Sequence, residues 1–349
     1  MPPPPSPPFA EPFLRLLDTP EDLIAEGAGY FRVEILSLVV TFFNTVFIAI
    51  ERSRGHARKI LYMNLVNLVV KLSLSALFVY VLESGVIMVA VATLTSQCVL
   101  LVYALWSLTH DEGAFRFSFR NVRLKKDSTM PIINLAYPVT AEKMLFAAGK
   151  VIVNSMSGVY GGLTVGALGI SNNIGGLTTS WHAGMLDGAS AVISQNRGAG
   201  KYRRTLRLYK WLVVMNVAIG VIGIAVVSLT LPWLAQIFAK SKENFDPEFC
   251  RMIVDIHRWE MLGYITLGIN SATLALLLGY GYTELTLILN VARVFLFRVP
   301  VLWAFQQYTT LGSEAVGMTM MIISNICVGL SALLVAIPVV YRIRRMKDE

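Results

Sequence analysis

The chain has 349 residues, 55% of them hydrophobic and only 15% charged, with a mean hydropathy of +0.61 and a net charge of +8. Soluble domains carry about a quarter charged residues, so a soluble globule is excluded and most of this chain must be solvated by lipid. The positive balance does not point to nucleic acid, because the basic residues gather in short loops between apolar runs, where cytoplasmic loops of membrane proteins keep them.

Residues 1–12, MPPPPSPPFAEP, have neither a basic start nor an apolar core, so they read as a short extended polyproline segment rather than a cleavable signal. Nine apolar stretches follow, near 33–50, 60–82, 86–108, 132–160, 163–193, 211–238, 256–280, 285–305 and 315–340. Each approaches the roughly 17–25 residues that a helix needs to cross a bilayer. Only helices and closed barrels can span lipid, and runs such as WLVVMNVAIGVIGIAVV lack the alternation of a barrel strand, so an all-α integral membrane protein is predicted. The fourth and fifth stretches carry polar interruptions.

If the tail YRIRRMKDE is cytoplasmic, the loops on its side of the membrane hold 19 of the 30 Lys and Arg and the opposite side holds four. That bias fixes the orientation. Cys98, Cys250 and Cys327 lie far apart without a CxxC or His pattern, so neither a disulfide framework nor a metal site is expected. HExxH, GxSxG and phosphate-loop motifs are absent, which argues against an intramembrane enzyme.

The chain resembles itself at an offset of 226 residues: Arg32 pairs with Arg258, Glu34 with Glu260, Asn44 with Asn270, Gly55 with Gly281 and Asn64 with Asn290. Five such identities are polar residues or glycine, which shared hydropathy would not generate. Doubled halves of this kind are typical of secondary transporters. The second half has three further spans ahead of its matching set, whereas PFLRLLDTPEDLIAEGAG at 12–29 is similar to the loop leading into the seventh stretch, so three preceding helices are expected to be missing from the first half.

ISQNRGAGKYRR at 193–204, with Gln195, Gly198, Gly200 and Lys201, resembles the cytoplasmic loop of MATE multidrug and toxin exporters. YFR at 30–32, NLVNLVVK, GVIMVAVATLTSQ and RVFLFRVP are similar to later helices of that family. The resemblance implies a two-lobe bundle, with an incomplete N-lobe over 1–127 (three helices) and a C-lobe over 128–349 (six). It implies export of cationic or amphipathic compounds in exchange for protons or sodium, without an organic cofactor; the cytoplasmic or inner membrane of a bacterium is the expected location, since nothing in the sequence resembles an organelle address. A small-molecule substrate and the bilayer are the expected partners, with a homodimer possible through faces left uncovered by the missing helices. A lipid-linked oligosaccharide flippase of the same superfamily and a non-transporting short form are the alternatives. Lys71 stands where the family often has Asp.

Ionisable groups inside a span are costly and tend to face a partner or a watery cavity. Glu142, four residues past Pro138 in a helix where some members of the family keep a coupling acid, is the leading candidate, with Lys143 beside it. Asp187, Glu260 and Glu34 are further candidates for coupling, and Asn172 and Asn270 for substrate contact. Arg32/Glu34 and Arg258/Glu260 are expected near the outer ends of their helices. His182 is expected as a hydrogen-bonded packing residue.

Overall fold

The computed structural model describes residues 21–110, 125–240 and 245–346. The proline-rich segment 1–12 and most of the loop 109–131 lie outside them. Among the described residues there is no β-strand and the chain is helical nearly throughout. It divides into two compact units, Met1–Arg123 and Leu124–Glu349.

The first unit holds α1 (Glu21–Ser53), α2 (Ala57–Ala76, continued by a wider π turn Leu77–Val81) and α3 (Val86–Thr109). α3 packs against both others. The apolar side chains point outward, Phe42 at 63% and Val69 at 61% exposed, while Ser37, Asn44 and Ser96 are buried. This inversion is what lipid as solvent demands, since polar groups must find their partners inside the protein. Asn44 does so by donating to the carbonyl and the side-chain oxygen of Gln97, both at 2.9 Å.

The second unit runs α4 (Lys126–Ser157), α5 (Gly162–Gly198), α6 (Tyr202–Ala239), α7 (Pro247–Leu262), α8 (Tyr264–Gly279), α9 (Thr283–Phe295), α10 (Val299–Tyr308), α11 (Glu314–Gly317, continued by a π turn Met318–Ile323) and α12 (Ser324–Arg344). α8 is the core: it packs against α5, α6 and α12, and nearly all of its side chains are buried. α4 pairs with α9.

Six helical segments among the described residues, one of them α9 continued by α10 (Thr283–Tyr308), are long and apolar enough to span a membrane, and α7 with α8 makes a seventh as a pair bent by 48°. The nine stretches of the sequence therefore reduce to six or seven by that measure. α4 and α5, with 32 and 37 residues, have ample length but too many polar groups to qualify. The seventh stretch, expected as one helix, begins earlier at Pro247, where Asp246 caps it by accepting from the Phe249 amide at 3.0 Å. It then breaks at Gly263, whose amide bonds the Glu260 carbonyl three residues back instead of four. Glu260 consequently sits beside the break, 5% exposed, and not at the outer end of its helix as its sequence position suggested.

Gly55 and Gly281, paired by the internal repeat, end α1 and α8 with φ of 81° and 75°. The hydrogen bonds also match: Gly55 N to Arg52 O and His56 N to Glu51 O, Gly281 N to Leu278 O and Tyr282 N to Leu277 O. This is the Schellman closure, which needs a left-handed residue and so selects glycine. Gly200 closes α5 the same way at φ 67°.

Helices approach closely where glycines meet backbone. A Cβ at Gly220 of α6 would lie 2.9 Å from the Ile265 Cα and N of α8, whereas one at Gly188 of α5 would meet nothing within 4 Å. Gly220→Ala is therefore expected to lower the thermal unfolding temperature of the detergent-solubilised protein, at a cost of about 1–3 kcal/mol for forcing two helices apart. Gly188→Ala is expected to raise it slightly, since alanine in mid-helix is favoured over glycine by about 0.5–1 kcal/mol.

Candidate functional site

The two helices too polar to pass as simple spans, α4 and α5, meet α8 and α9 around a cavity of about 220 Å³ inside the second unit. α4 contributes Glu142, Lys143 and Phe146; α5 contributes Thr179 and His182; α8 and α9 contribute Asn270, Ser271, Asn290 and Arg293. Pro138 precedes this face of α4 and, lacking an N–H, leaves the Asn134 carbonyl without its helical donor one turn before Glu142.

Glu142 is 6% exposed, and its Oε1 accepts from Asn290 Nδ2 at 2.9 Å and meets Lys143 Nζ at 3.4 Å. Lys143 is 75% exposed, so that ion pair is weak, and Asn290 is the group that holds the carboxylate. His182 is fixed by its neighbours: Asn216 Nδ2 donates to the Leu212 carbonyl at 2.9 Å, leaving Asn216 Oδ1 as the acceptor for His182 Nδ1 at 2.8 Å. His182 Nε2 is buried without a hydrogen-bond partner. Asn270 Oδ1 and Arg293 Nε are likewise buried without a hydrogen-bond partner. Buried polar atoms are rarely left so, and these three belong to residues of one cavity wall.

A second cluster straddles the break between α7 and α8. Tyr264 Oη lies 3.0 Å from His257 Nε2, His257 Nδ1 lies 2.8 Å from Ser171 Oγ, and the Ser171 hydroxyl donates to Glu260 Oε2. With Glu260 ionised and His257 neutral, donor capacity leaves one consistent direction: the carboxylate can only accept, so Ser171 donates to it, accepts from His257 Nδ1–H, and His257 Nε2 accepts from Tyr264. A proton on Glu260 would let the chain run the opposite way. Gly175 makes room for this cluster, since a Cβ there would stand 2.7 Å from Glu260 Oε1.

The structure brings Glu142, Lys143 and Asn270 to one cavity and sets Glu260 in the neighbouring cluster. Asn172 is not with them: it is exposed and donates to the Leu168 carbonyl of its own helix at 2.9 Å. Asp187 is half-buried and outside the cavity wall. Glu34 is half-buried in the first unit. In the loop 196–201, Lys201 N closes onto the Asn196 carbonyl through Gly200, and Arg197 donates to the Tyr280 carbonyl, while Gln195, Gly198 and Lys201 are exposed. His182, expected to be a packing residue, is both hydrogen-bonded and part of the cavity wall. Phe146, Ser171 and Tyr264 were not singled out by the sequence. The spacing of His257, Glu260 and Tyr264, three and four apart, was the available signal, because such residues share one helix face. A larger groove of about 520 Å³ in the first unit is lined mainly by Tyr62, Val66, Val99, Leu100 and Tyr103, with Arg58 and Lys59, and offers no acid.

The MatE family model matches residues 7–77 and 138–304. Among curated proteins, the chain is 21% identical over 314 residues to the probable multidrug resistance protein YpnP of Bacillus subtilis (strain 168), covering 89% of this chain and 68% of that protein. It is 21% identical over 311 residues to the probable multidrug resistance protein YoeA of the same organism, covering 87% and 66%. The chain thus spans about two thirds of the length of these relatives. The fold is similar to an outward-facing MATE family multidrug resistance transporter of the MOP superfamily, with a TM-score of 0.87 at 20% identity over 97% of this chain and 74% of that one. It is also similar to a MOP superfamily transporter from Pyrococcus furiosus Vc1, for which a reversed polarity of the binding pocket suggests a different function, with a TM-score of 0.89 at 20% identity over 97% and 75%.

Ser171 bridges two buried titratable groups, so Ser171→Ala is expected to destabilise the protein by about 1–3 kcal/mol through the partners it leaves unpaired. Combining it with Glu260→Leu should cost at least about 0.5 kcal/mol less than the sum of the single changes, as for residues of one network. Thermal unfolding of the four proteins of this cycle measures the coupling, and strict additivity would show that the cluster does not act as a unit.

Proposed function

The chain belongs to the MatE family, and we propose that it is a secondary active exporter of amphipathic drugs or metabolites, exchanging each for a proton or sodium ion across the bacterial inner membrane. The observation that carries this reading is the cavity in the second unit, where a buried carboxylate, Glu142, shares a wall with the unpaired acceptor of Asn270 and with His182. A carboxylate with a lone-pair acceptor nearby suits a proton or a small cation, and the apolar side chains Phe146, Leu186, Leu267 and Leu274 of the same wall suit the body of an amphipathic cargo.

In this reading, Glu142 is the group that exchanges its bound ion against cargo. When it is ionised, Asn290 holds it; when it is protonated or bound to sodium, that hold loosens and the wall facing α9 is free to shift. A difference in interaction between two states is what a ligand needs to bias a conformational equilibrium. The Tyr264–His257–Ser171–Glu260 chain supports a proton as the coupled ion, because its hydrogen bonds can reverse direction around a single added proton. No bond of the cargo is made or broken, and the protein acts as a transporter and not as an enzyme.

Proteoliposomes loaded with a pH-sensitive or sodium-sensitive dye test the exchange. A panel of amphipathic compounds of either charge, added one at a time, is expected to contain at least one that dissipates a proton or sodium gradient. Glu142→Gln should slow that flux by about tenfold or more, the effect of losing roughly 1.4 kcal/mol. Flux from Glu142→Gln at the wild-type rate, or no flux with any compound, contradicts the reading.

A further inference from the structure

Phe146, on the cavity wall, is surrounded by cations. Lys150 Nζ stands 5.3 Å from its ring centroid, Arg293 Cζ 5.6 Å and Arg298 Cζ 6.0 Å. Arg298 is 4% exposed, and its Nε donates to Ser324 Oγ at 3.0 Å. Arg293 Nη2 donates to Asn325 Oδ1 at 2.9 Å, and its Nε is buried without a partner. Among the described residues neither arginine makes an ion pair. Glu142 is engaged by Asn290 and Lys143; Glu260, hydrogen-bonded by Ser171, is close enough for its charge to favour both arginines, but one carboxylate then stands against three cations around one ring.

A buried guanidinium is costly unless a counter-charge and hydrogen-bond acceptors meet it. Arg298 is buried and Arg293 half-buried; sharing one aromatic ring with a lysine they repel one another, and the ring quadrupole offsets only part of that. If the arginines served packing alone, apolar side chains of the same volume would do as well or better. The arrangement is explained if something negative completes it, and Arg293, with its unpaired Nε, is on the wall of the cavity itself. Arginine also suits the purpose, because its planar fork presents donors to carboxylate, sulfate or phosphate oxygens.

We propose that Arg293, Arg298 and Lys150 around Phe146 form an anion site, and that the compound bound by the second unit carries an acidic group attached to an apolar body. The proposal rests on the export reading above and adds the sign of the cargo's charge to it. It leaves Glu142, on the same wall, for the coupled ion.

A matched pair of probes decides it. Calorimetric titration of the purified protein in detergent, against empty micelles as the blank, with naphthalene-2-sulfonate and with (2-naphthyl)trimethylammonium compares one apolar body under opposite charges. The sulfonate is expected to bind and the ammonium to bind more weakly or not at all. Arg293→Gln and Arg298→Gln should each weaken the sulfonate roughly ten- to hundredfold, as expected for loss of a charge-assisted hydrogen bond, with less change for the ammonium. If either variant loses its thermal unfolding transition, Lys150→Gln, at an exposed position, takes its place. Lysophosphatidylglycerol displacing the sulfonate at lower concentration than the unlabelled sulfonate itself would assign the site to a lipid headgroup, and weaker displacement to a free organic anion; either supports the proposal. Unchanged sulfonate affinity in the arginine variants, or preference for the ammonium, overturns it. Ammonium-driven ion flux in proteoliposomes would then leave the export reading standing, whereas absence of binding and flux with both probes would count against both.

Discussion

A polar atom inside a lipid-solvated bundle has no water to turn to, and the second unit is organised around that constraint. Its most buried helix, α8, is also the one that carries Asn270, Ser271 and Thr273 inward, and its neighbours are drawn close by glycines at Gly220, Gly268 and Gly329 so that side chains and backbone can satisfy one another. Ser271 donates to the His182 carbonyl at 2.7 Å and Tyr209 meets Thr273 at 3.1 Å, each tying a different helix to α8. Against this background of satisfied groups a few buried polar atoms of the second unit lack a partner, and three of the five cluster. His182 Nε2, Asn270 Oδ1 and Arg293 Nε belong to residues that line one cavity.

The break at Gly263 has a functional consequence. By ending α7 early and restarting α8 at an angle, it places Glu260 and His257 of one segment against Tyr264 of the next, and Ser171 of α5 closes the cluster. Discontinuous helices are the usual means by which transporters put polar groups at depth. In the first unit the equivalent helix, α1, runs unbroken through Ser37, the position matching Gly263, so the two halves of the repeat have diverged where polar chemistry is concentrated.

Much of this was legible in the sequence because it follows from local rules. Long apolar runs gave the helices, the 226-residue offset paired Gly55 with Gly281, and both fulfil the same left-handed closure. Glu142 stood out as an acid in an apolar helix. The rest depended on three-dimensional closure. Asn290 counted only as a repeat partner of Asn64 until α4 and α9 were seen to pair. Ser171 looks like any helical serine, since its role arises from residues 86 and 89 positions away. Asn172, beside it, looked equally suitable, but a helix turns 100° per residue and carries it to the exposed side. α4 and α5, two of the nine stretches, fall short of the simple apolar measure because they carry polar groups that line the cavity.

An ion-exchanging cavity in the second unit must be reached by water while the outer helix surfaces are in lipid. Single cysteines at Thr179, on the cavity wall, and at Leu229, 84% exposed on α6, can be compared after replacing Cys98, Cys250 and Cys327 with serine. A methanethiosulfonate reagent that cannot enter membranes reacts with a thiolate, which forms in water and not in hydrocarbon. Thr179→Cys is expected to react in membranes opened to both sides and Leu229→Cys to stay unmodified; a silent Thr179→Cys beside a reactive Leu229→Cys would contradict a water-filled cavity.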